Sequence, residues 1–248
     1  MRIRLVLLVI FAIALLASAQ QATVPPAPAA PRHPVVDVYH GVHVSDDYRW
    51  LEDWNSPAVK QWSAAENRRT RAYLDQLPSR EAIRKNFAEM SRSGSGQYYD
   101  LCQRKYLFAM KYQPPQQQPA LVVMLGAGDP DSERVIIDPN RGGKPGASTI
   151  DFYVPSPDGK LVAASLSENG SEDGTAHVFE AATGKELADR VPRVNFGTGG
   201  GSIAWKADGS GFYYARYPQG NERPPADVNF YQQIYFHALG TPASEDQY

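Results

Sequence analysis

The sequence predicts a mainly β chain, with short strands in a repeat of about 50 residues behind a brief helical stretch. Three observations support this. The 248 residues include 20 Gly, 20 Pro and 14 Tyr, a composition rich in turn and strand formers. Apolar residues follow helical spacing only between about residues 56 and 90, and short apolar runs replace them from about residue 97. The turns between those runs then recur with matched chemistry.

The same arithmetic excludes several classes. A hydrophobic content of 42%, aromatics at 11% and a net charge of −2 are incompatible with intrinsic disorder of the bulk of the chain. Lys and Arg (25) do not exceed Asp and Glu (27), which argues against a nucleic-acid partner. A single cysteine, Cys102, leaves no internal disulfide framework and no Cys-based zinc cluster.

Residues 1–19 read as a cleavable signal peptide. Arg2 and Arg4 precede an apolar run from Leu5 to Ala17, and Ala17-Ser18-Ala19 places small residues at −3 and −1 of a cleavage site after Ala19. The run is short of the roughly 20 residues a spanning helix needs, so no stable membrane anchor is expected; a retained anchor is the alternative. Cleavage removes both arginines and takes the net charge from −2 to −4. Residues 20–34 form a Pro/Ala-rich linker. The predicted location is secreted or periplasmic.

Residues 35–96 form the helical segment. Ser56 is an N-cap candidate with Pro57 at the first helical position, Val59, Trp62, Ala65, Tyr73 and Leu77 follow the helical period, and Pro78 is expected to end the helix. Ser79 begins a second helix with Ile83, Phe87 and Met90 on one face, and Ser91–Gly96 is expected to break it. The intervening arginines read as a solvated face.

From residue 97 to 248 the chain reads as blades of a β-propeller. Gln103–Phe108, Pro157–Ala163 and Ala207–Tyr214 each contain a turn followed by a strand, with Lys105 and Lys160 55 residues apart and Asp158 and Asp208 50 apart. Short strands precede the Asp-Gly turns (150–153, 203–205) and others follow (176–180, 233–238), while Ala182-Thr183-Gly184-Lys185 makes a tight turn between strands. A β-sandwich with similar hairpins is the alternative. About three blades fit before Tyr248, whereas propellers close with 4–8, so the architecture reads as incomplete.

No residues assemble into a catalytic constellation. No serine has glycine both two before and two after it, and Gly142-Gly143-Lys144 runs into Pro145 and so is no phosphate loop. His40 and His43 lack a third ligand nearby and read as structural, and Glu168–Gly174 lacks a calcium-loop register and reads as a solvated hairpin tip. Asp46, Asp47, Glu52 and Asp53 flank Tyr48-Arg49-Trp50-Leu51, which points to a packed turn with ion-paired rims rather than a catalytic pair. Cys102 reads as a buried small residue. No metal or other cofactor is expected.

Several motifs, in order along the chain, carry a resemblance. They are Tyr39-His40-Gly41-Val42, Asp47–Asp53 (DYRWLED), Ala65-Glu66-Asn67, Ile137–Asn140 (IDPN), Ser156–Gly159 (SPDG), Ala204-Trp205, Asp208–Tyr214 (DGSGFYY) and Tyr235–Thr241 (YFHALGT). Together they resemble the amino-terminal part of the prolyl oligopeptidase family of serine peptidases from about His33 onward. Trp50-Leu51-Glu52-Asp53 is more similar to the proline-specific branch than to the basic-residue-specific one.

The resemblance implies a seven-bladed propeller that covers an α/β-hydrolase domain and admits only short peptides. The helices at 35–96 would belong to that hydrolase domain. Serine, aspartate and histidine of the triad would lie in a later portion. Four further blades would take roughly 200 residues, and a hydrolase core roughly 200 more. The chain is thus expected to be the front of a monomeric secreted endopeptidase that cleaves short proline-containing peptides after proline, inactive alone, with Trp62, Phe87 and Met90 left exposed. One substrate contact is implied within these residues, Phe196 of Val194-Asn195-Phe196, although the Gly197–Gly201 stretch departs from the family pattern. The other reading is a stand-alone exported propeller-like binding module without catalysis.

Overall fold

A computed structural model describes residues 24–141, 147–195 and 201–248. The chain divides into two compact units, residues up to Glu89 and Met90–Tyr248.

The first unit opens with a hairpin of β1 (Val35–Tyr39) and β2 (Val42–Asp46), paired antiparallel. Its turn is His40-Gly41, both at positive φ (51° and 83°), as a tight hairpin whose twist matches its strands requires. Helix α1 (Pro57–Leu74) starts as expected with Pro57 at its first position, but Ser56 makes no side-chain cap bond. It stops at Leu74 rather than at Pro78. Proline disfavours helical geometry in the residue before it, and the chain leaves through single turns, Gln76 N–H to Tyr73 O and Leu77 N–H to Leu74 O. Helix α2 (Arg80–Ser93) continues through Ser91, Arg92 and Ser93, where a break was expected. These residues tolerate helix, the Ser93 hydroxyl bonds back to Met90 O at 3.1 Å, and the first glycine is Gly94. The α2 stripe is exposed, with Phe87 at 70% and Met90 at 71%, whereas Trp62 is half-buried rather than exposed.

The second unit is three antiparallel sheets. The first runs β3 (Gln97–Gln103), β4 (Leu107–Tyr112), β5 (Ala120–Met124), β6 (Arg134–Ile137). The second runs β7 (Ser148–Pro155), β8 (Leu161–Glu168), β9 (Thr175–Glu180), β10 (Glu186–Pro192). The third runs β11 (Ser202–Trp205), β12 (Gly211–Arg216), β13 (Gln233–Ala238), and an antiparallel bridge pairs Phe236 with Gln247 beyond it. Neighbours in sequence are neighbours in each sheet, the meander expected of propeller blades.

Alternation along the strands sends core residues to both faces of the second sheet. Val162 and Ala164 join Phe108, Leu121, Val123 and Ile136 of the first sheet, while Ala163, Val178 and Val191 join Ile203, Phe212 and Tyr214 of the third. Cys102 is half-buried against the first of these clusters, not buried. It follows a bulge at Tyr99–Cys102 in which Asp100 takes φ 48°, and the interrupted pairing leaves its side chain partly accessible.

The repeated Asp-Gly turns have a common construction. Asp158 Oδ1 accepts from the Lys160 N–H (3.0 Å) and the Ser156 hydroxyl (2.8 Å), and Asp208 Oδ1 accepts from the Ser210 N–H (3.0 Å) and hydroxyl (2.7 Å). Gly159 has a further reason to be glycine. At φ 68° a Cβ would sit 2.7 Å from the Lys105 backbone nitrogen in the equivalent turn of the first sheet. The first strands of the second and third sheets are tied by the Trp205 indole N–H, which donates to Val154 O at 2.8 Å.

Candidate functional site

In an antiparallel meander the first-to-second and third-to-fourth connections lie at one end of each sheet. The second-to-third connections and the links between sheets lie at the other. The Asp-Gly turns fill the first end. Among the described residues, the second end gathers 113–119, 138–141, Ala147, 169–174, 193–195 and 217–232, and hydrogen bonds join neighbouring segments: Gln118 with Asn140, Asn169 with Ala147, Gly174 with Asn195, and Arg193 with the 217–232 connection.

Asn140 binds the segment before β5, its Oδ1 accepting from the Gln118 N–H (3.0 Å) and its Nδ2 donating to Gln118 O (2.8 Å). The Asn195 side-chain Oδ1 accepts from the Gly174 N–H at 3.2 Å, and the Ser165 hydroxyl donates to Val194 O at 2.7 Å. Beneath them Asp151 accepts from the Ser167 hydroxyl (2.6 Å), and its other oxygen lies 3.0 Å from the Ser165 hydroxyl. Burial pushes its carboxyl above the ordinary carboxylate range, and the two hydroxyls oppose that shift.

Arg193 organises the remainder. It sits at φ 62°, largely enclosed, and donates to Pro218 O (2.7 Å), Val228 O (2.9 Å) and Asn229 Oδ1 (2.9 Å), with Asp173 at 3.4 Å and the Tyr217 ring beneath it. Arg216 fixes the same long connection by a bidentate pair with Glu222 (2.8 Å each) while stacked on Tyr235. Its guanidinium holds the Glu222 carboxyl below the ordinary range. The connection then presents Phe230 (62% exposed) and Tyr231 (58%), the latter stacked with Arg223. Fixed aromatic faces beside cations suit the carbonyls and apolar side chains of an extended peptide.

Phe196, the substrate contact implied by the motifs, lies outside the described residues, as do the signal peptide and the Gly142-Gly143-Lys144 segment. Its neighbours Val194 and Asn195 belong to the surface just described. The other residues singled out from sequence are elsewhere. His40 shapes a hairpin turn, and His43 lies on β2, exposed. The acidic cluster is a turn with paired rims: Arg49 binds Asp37 and approaches Asp46 (3.5 Å), Arg32 approaches Asp47 (3.5 Å), and Asp53 accepts from the Asn55 N–H. Glu52 closes the short turn Arg49–Glu52. Among the described residues no group of three or more His, Cys, Asp or Glu could hold a metal, and no helix is long and apolar enough to cross a membrane. Sequence reasoning passed over Arg193 and the 217–232 connection. Their only signal was a cation set between the apolar residues of VPRVNF and a connection longer than its counterparts.

A family model described as the prolyl oligopeptidase N-terminal β-propeller domain matches residues 28–248. The prolyl endopeptidase of Elizabethkingia meningoseptica is 31% identical over 237 residues, covering 93% of this chain and 32% of its own length. Prolyl oligopeptidase A of Galerina marginata is 29% identical over 249 residues, covering 88% of this chain and 33% of its own length. A solved prolyl endopeptidase superposes with a TM-score of 0.76 at 29% identity, covering 90% of this chain and 32% of that one. Prolyl oligopeptidase B of Galerina marginata, bound to a 35mer hydrolysis and macrocyclization substrate, superposes with a TM-score of 0.69 at 25% identity, covering 89% and 32%. The chain therefore spans about a third of the length of the curated relatives it matches.

Proposed function

This chain belongs to the prolyl oligopeptidase family, through its N-terminal β-propeller domain, and on that premise we propose that it is the access-controlling portion of a secreted serine endopeptidase cleaving short peptides after proline. The match of 28–248 to the propeller domain carries the reading. The loops at one end of the sheets support it, because a surface with exposed aromatics, Phe230 and Tyr231, is suited to receive a peptide.

The exposed α2 stripe supports assignment of the helical segment to a hydrolase domain, since Ile83, Phe87 and Met90 present apolar surface that stable folds cover. In the complete enzyme a serine nucleophile, activated by histidine and oriented by aspartate, forms the acyl-enzyme and water releases it. Residues 1–248 supply selection and orientation to that chemistry, not the bond-breaking step, and alone they leave peptides uncleaved.

The test is a paired assay on chromogenic peptides with proline at P1. The native gene product is expected to cleave short peptides and spare long ones, starting at Gln20 in the exported fraction. Purified 1–248 is expected to release no product. Robust cleavage by 1–248, or native product that binds such peptides without cutting them, overturns the reading.

A further inference from the structure

His237, in the YFHALGT motif, is fully buried on β13 and takes no part in the candidate surface. Its Nδ1 lies 2.7 Å from Asp246 Oδ1, and its Nε2 lies 3.1 Å from Asp189 Oδ1. The two carboxylates are themselves enclosed, at 1% and 4% side-chain exposure. Asp189 is on β10 of the second sheet, His237 is in the third, and Asp246 follows the short turn Ala243–Glu245. One imidazole thus touches three separate pieces of the unit.

The remaining neighbours are donors. The Tyr214 hydroxyl donates to Asp246 Oδ2 at 2.6 Å, and the Gly240 N–H donates to Asp189 Oδ1. Burial, reinforced by the Asp246 carboxylate, pushes that hydroxyl above its ordinary range, so it remains a donor. Arg216, the next cation, is occupied by Glu222. The Phe212 ring packs 5.1 Å from the imidazole and supplies no charge.

A carboxylate accepts hydrogen bonds and donates none, so a bare ring nitrogen facing one would set lone pair against lone pair. Two enclosed carboxylates would then also lack a cation, an arrangement proteins avoid. Both requirements are met when the ring carries two protons. We propose that His237 is a protonated latch, an imidazolium whose two N–H groups fasten the third sheet to Asp189 of the second and to the 243–247 turn, so that losing one proton loosens the seam between the sheets.

The test is 15N spectroscopy of the folded full chain at neutral pH, with the His237 ring assigned by difference against H237Q. Both ring nitrogens should appear in the protonated range with attached protons. A bare nitrogen in the folded state overturns the proposal. Hydrogen exchange gives the second readout. H237Q should lose about 10- to 100-fold protection at β13 and at β10 near Asp189, while H43Q on the first-unit hairpin leaves both unchanged. Unchanged protection in H237Q overturns the latch even if the ring is charged. Should H237Q fail to fold, D189N carries the exchange test, because an amide can accept an N–H from the ring or, turned over, donate one to its bare nitrogen, and so does not demand the ring's charge. Its ring should then be free to release a proton with the seam intact, and a D189N seam as alkali-sensitive as wild type overturns the proposal.

Discussion

The two units of this chain spend their apolar residues in opposite ways. In the second, strand alternation buries Val162, Val178, Leu121 and Phe212 completely between sheets. Among the described residues up to Glu89, Val59 alone is a buried apolar side chain, and the β1–β2 hairpin exposes Val35, Val36, Val38, Tyr39, Val42 and Val44. Both units have regular secondary structure, but the buried side-chain nitrogens without a hydrogen-bond partner among the described residues, Trp62 Nε1 and Arg69 Nε, both belong to the first. What differs is whether a second apolar layer is present. Local pattern is enough to form an element, and a neighbouring layer is needed to stabilise it.

The sharpest way to break this contrast is to truncate one aromatic in each unit. Phe212→Ala should cost about 3–5 kcal/mol in denaturant unfolding, while Phe87→Ala should stay within about 0.5 kcal/mol. Comparable losses would show that α2 is packed in solution. Exchange rates sharpen it further, since amides of β8 and β9 should need near-global opening while those of α1 and α2 exchange through local fraying.

A smaller effect separates two turns of like sequence. Gly159→Ala meets both a positive φ and the Lys105 backbone, whereas Gly209→Ala, at φ 73° with nothing within 4 Å, meets only the first. The open site should lose about 1 kcal/mol and the crowded one clearly more, measured by thermal unfolding. Equal losses would mean that the turns of the first and second sheets separate easily.

The smallest effect is electrostatic. The Lys160 N–H and ammonium and the Ser156 hydroxyl hold the Asp158 carboxyl down at about 2. Because its folded value is depressed, its contribution is complete above the ordinary carboxylate range, at about pH 4, and fades as pH falls toward 2. Carbon NMR of the Asp158 carboxyl should follow that window, and Asp158→Asn should flatten the corresponding acid limb of the stability profile.

Much of the fold could be read from short-range signals. The strand at 233–238, the turns at Asp158-Gly159 and Asp208-Gly209, and Pro57 at a helix start all depend on residues a few positions apart. The helix ends were less legible, because Ser91–Ser93 is weakly helical and only Gly94 decides the stop. The candidate surface was the least legible. Arg193 reaches carbonyls 25 and 35 residues away, and His237 meets Asp189 48 residues away. Such partners share no sequence period, so only the packing of one sheet on the next reveals them.

The bond from the Trp205 indole to Val154 has an optical consequence. Of the four tryptophans, Trp50, Trp54 and Trp62 fall in the first unit and Trp205 falls in the second. Replacing the first three with phenylalanine would leave a single tryptophan, half-buried and hydrogen-bonded between the second and third sheets. Its emission colour would then report the wetting of that junction in real time, separately from any loss of the helices.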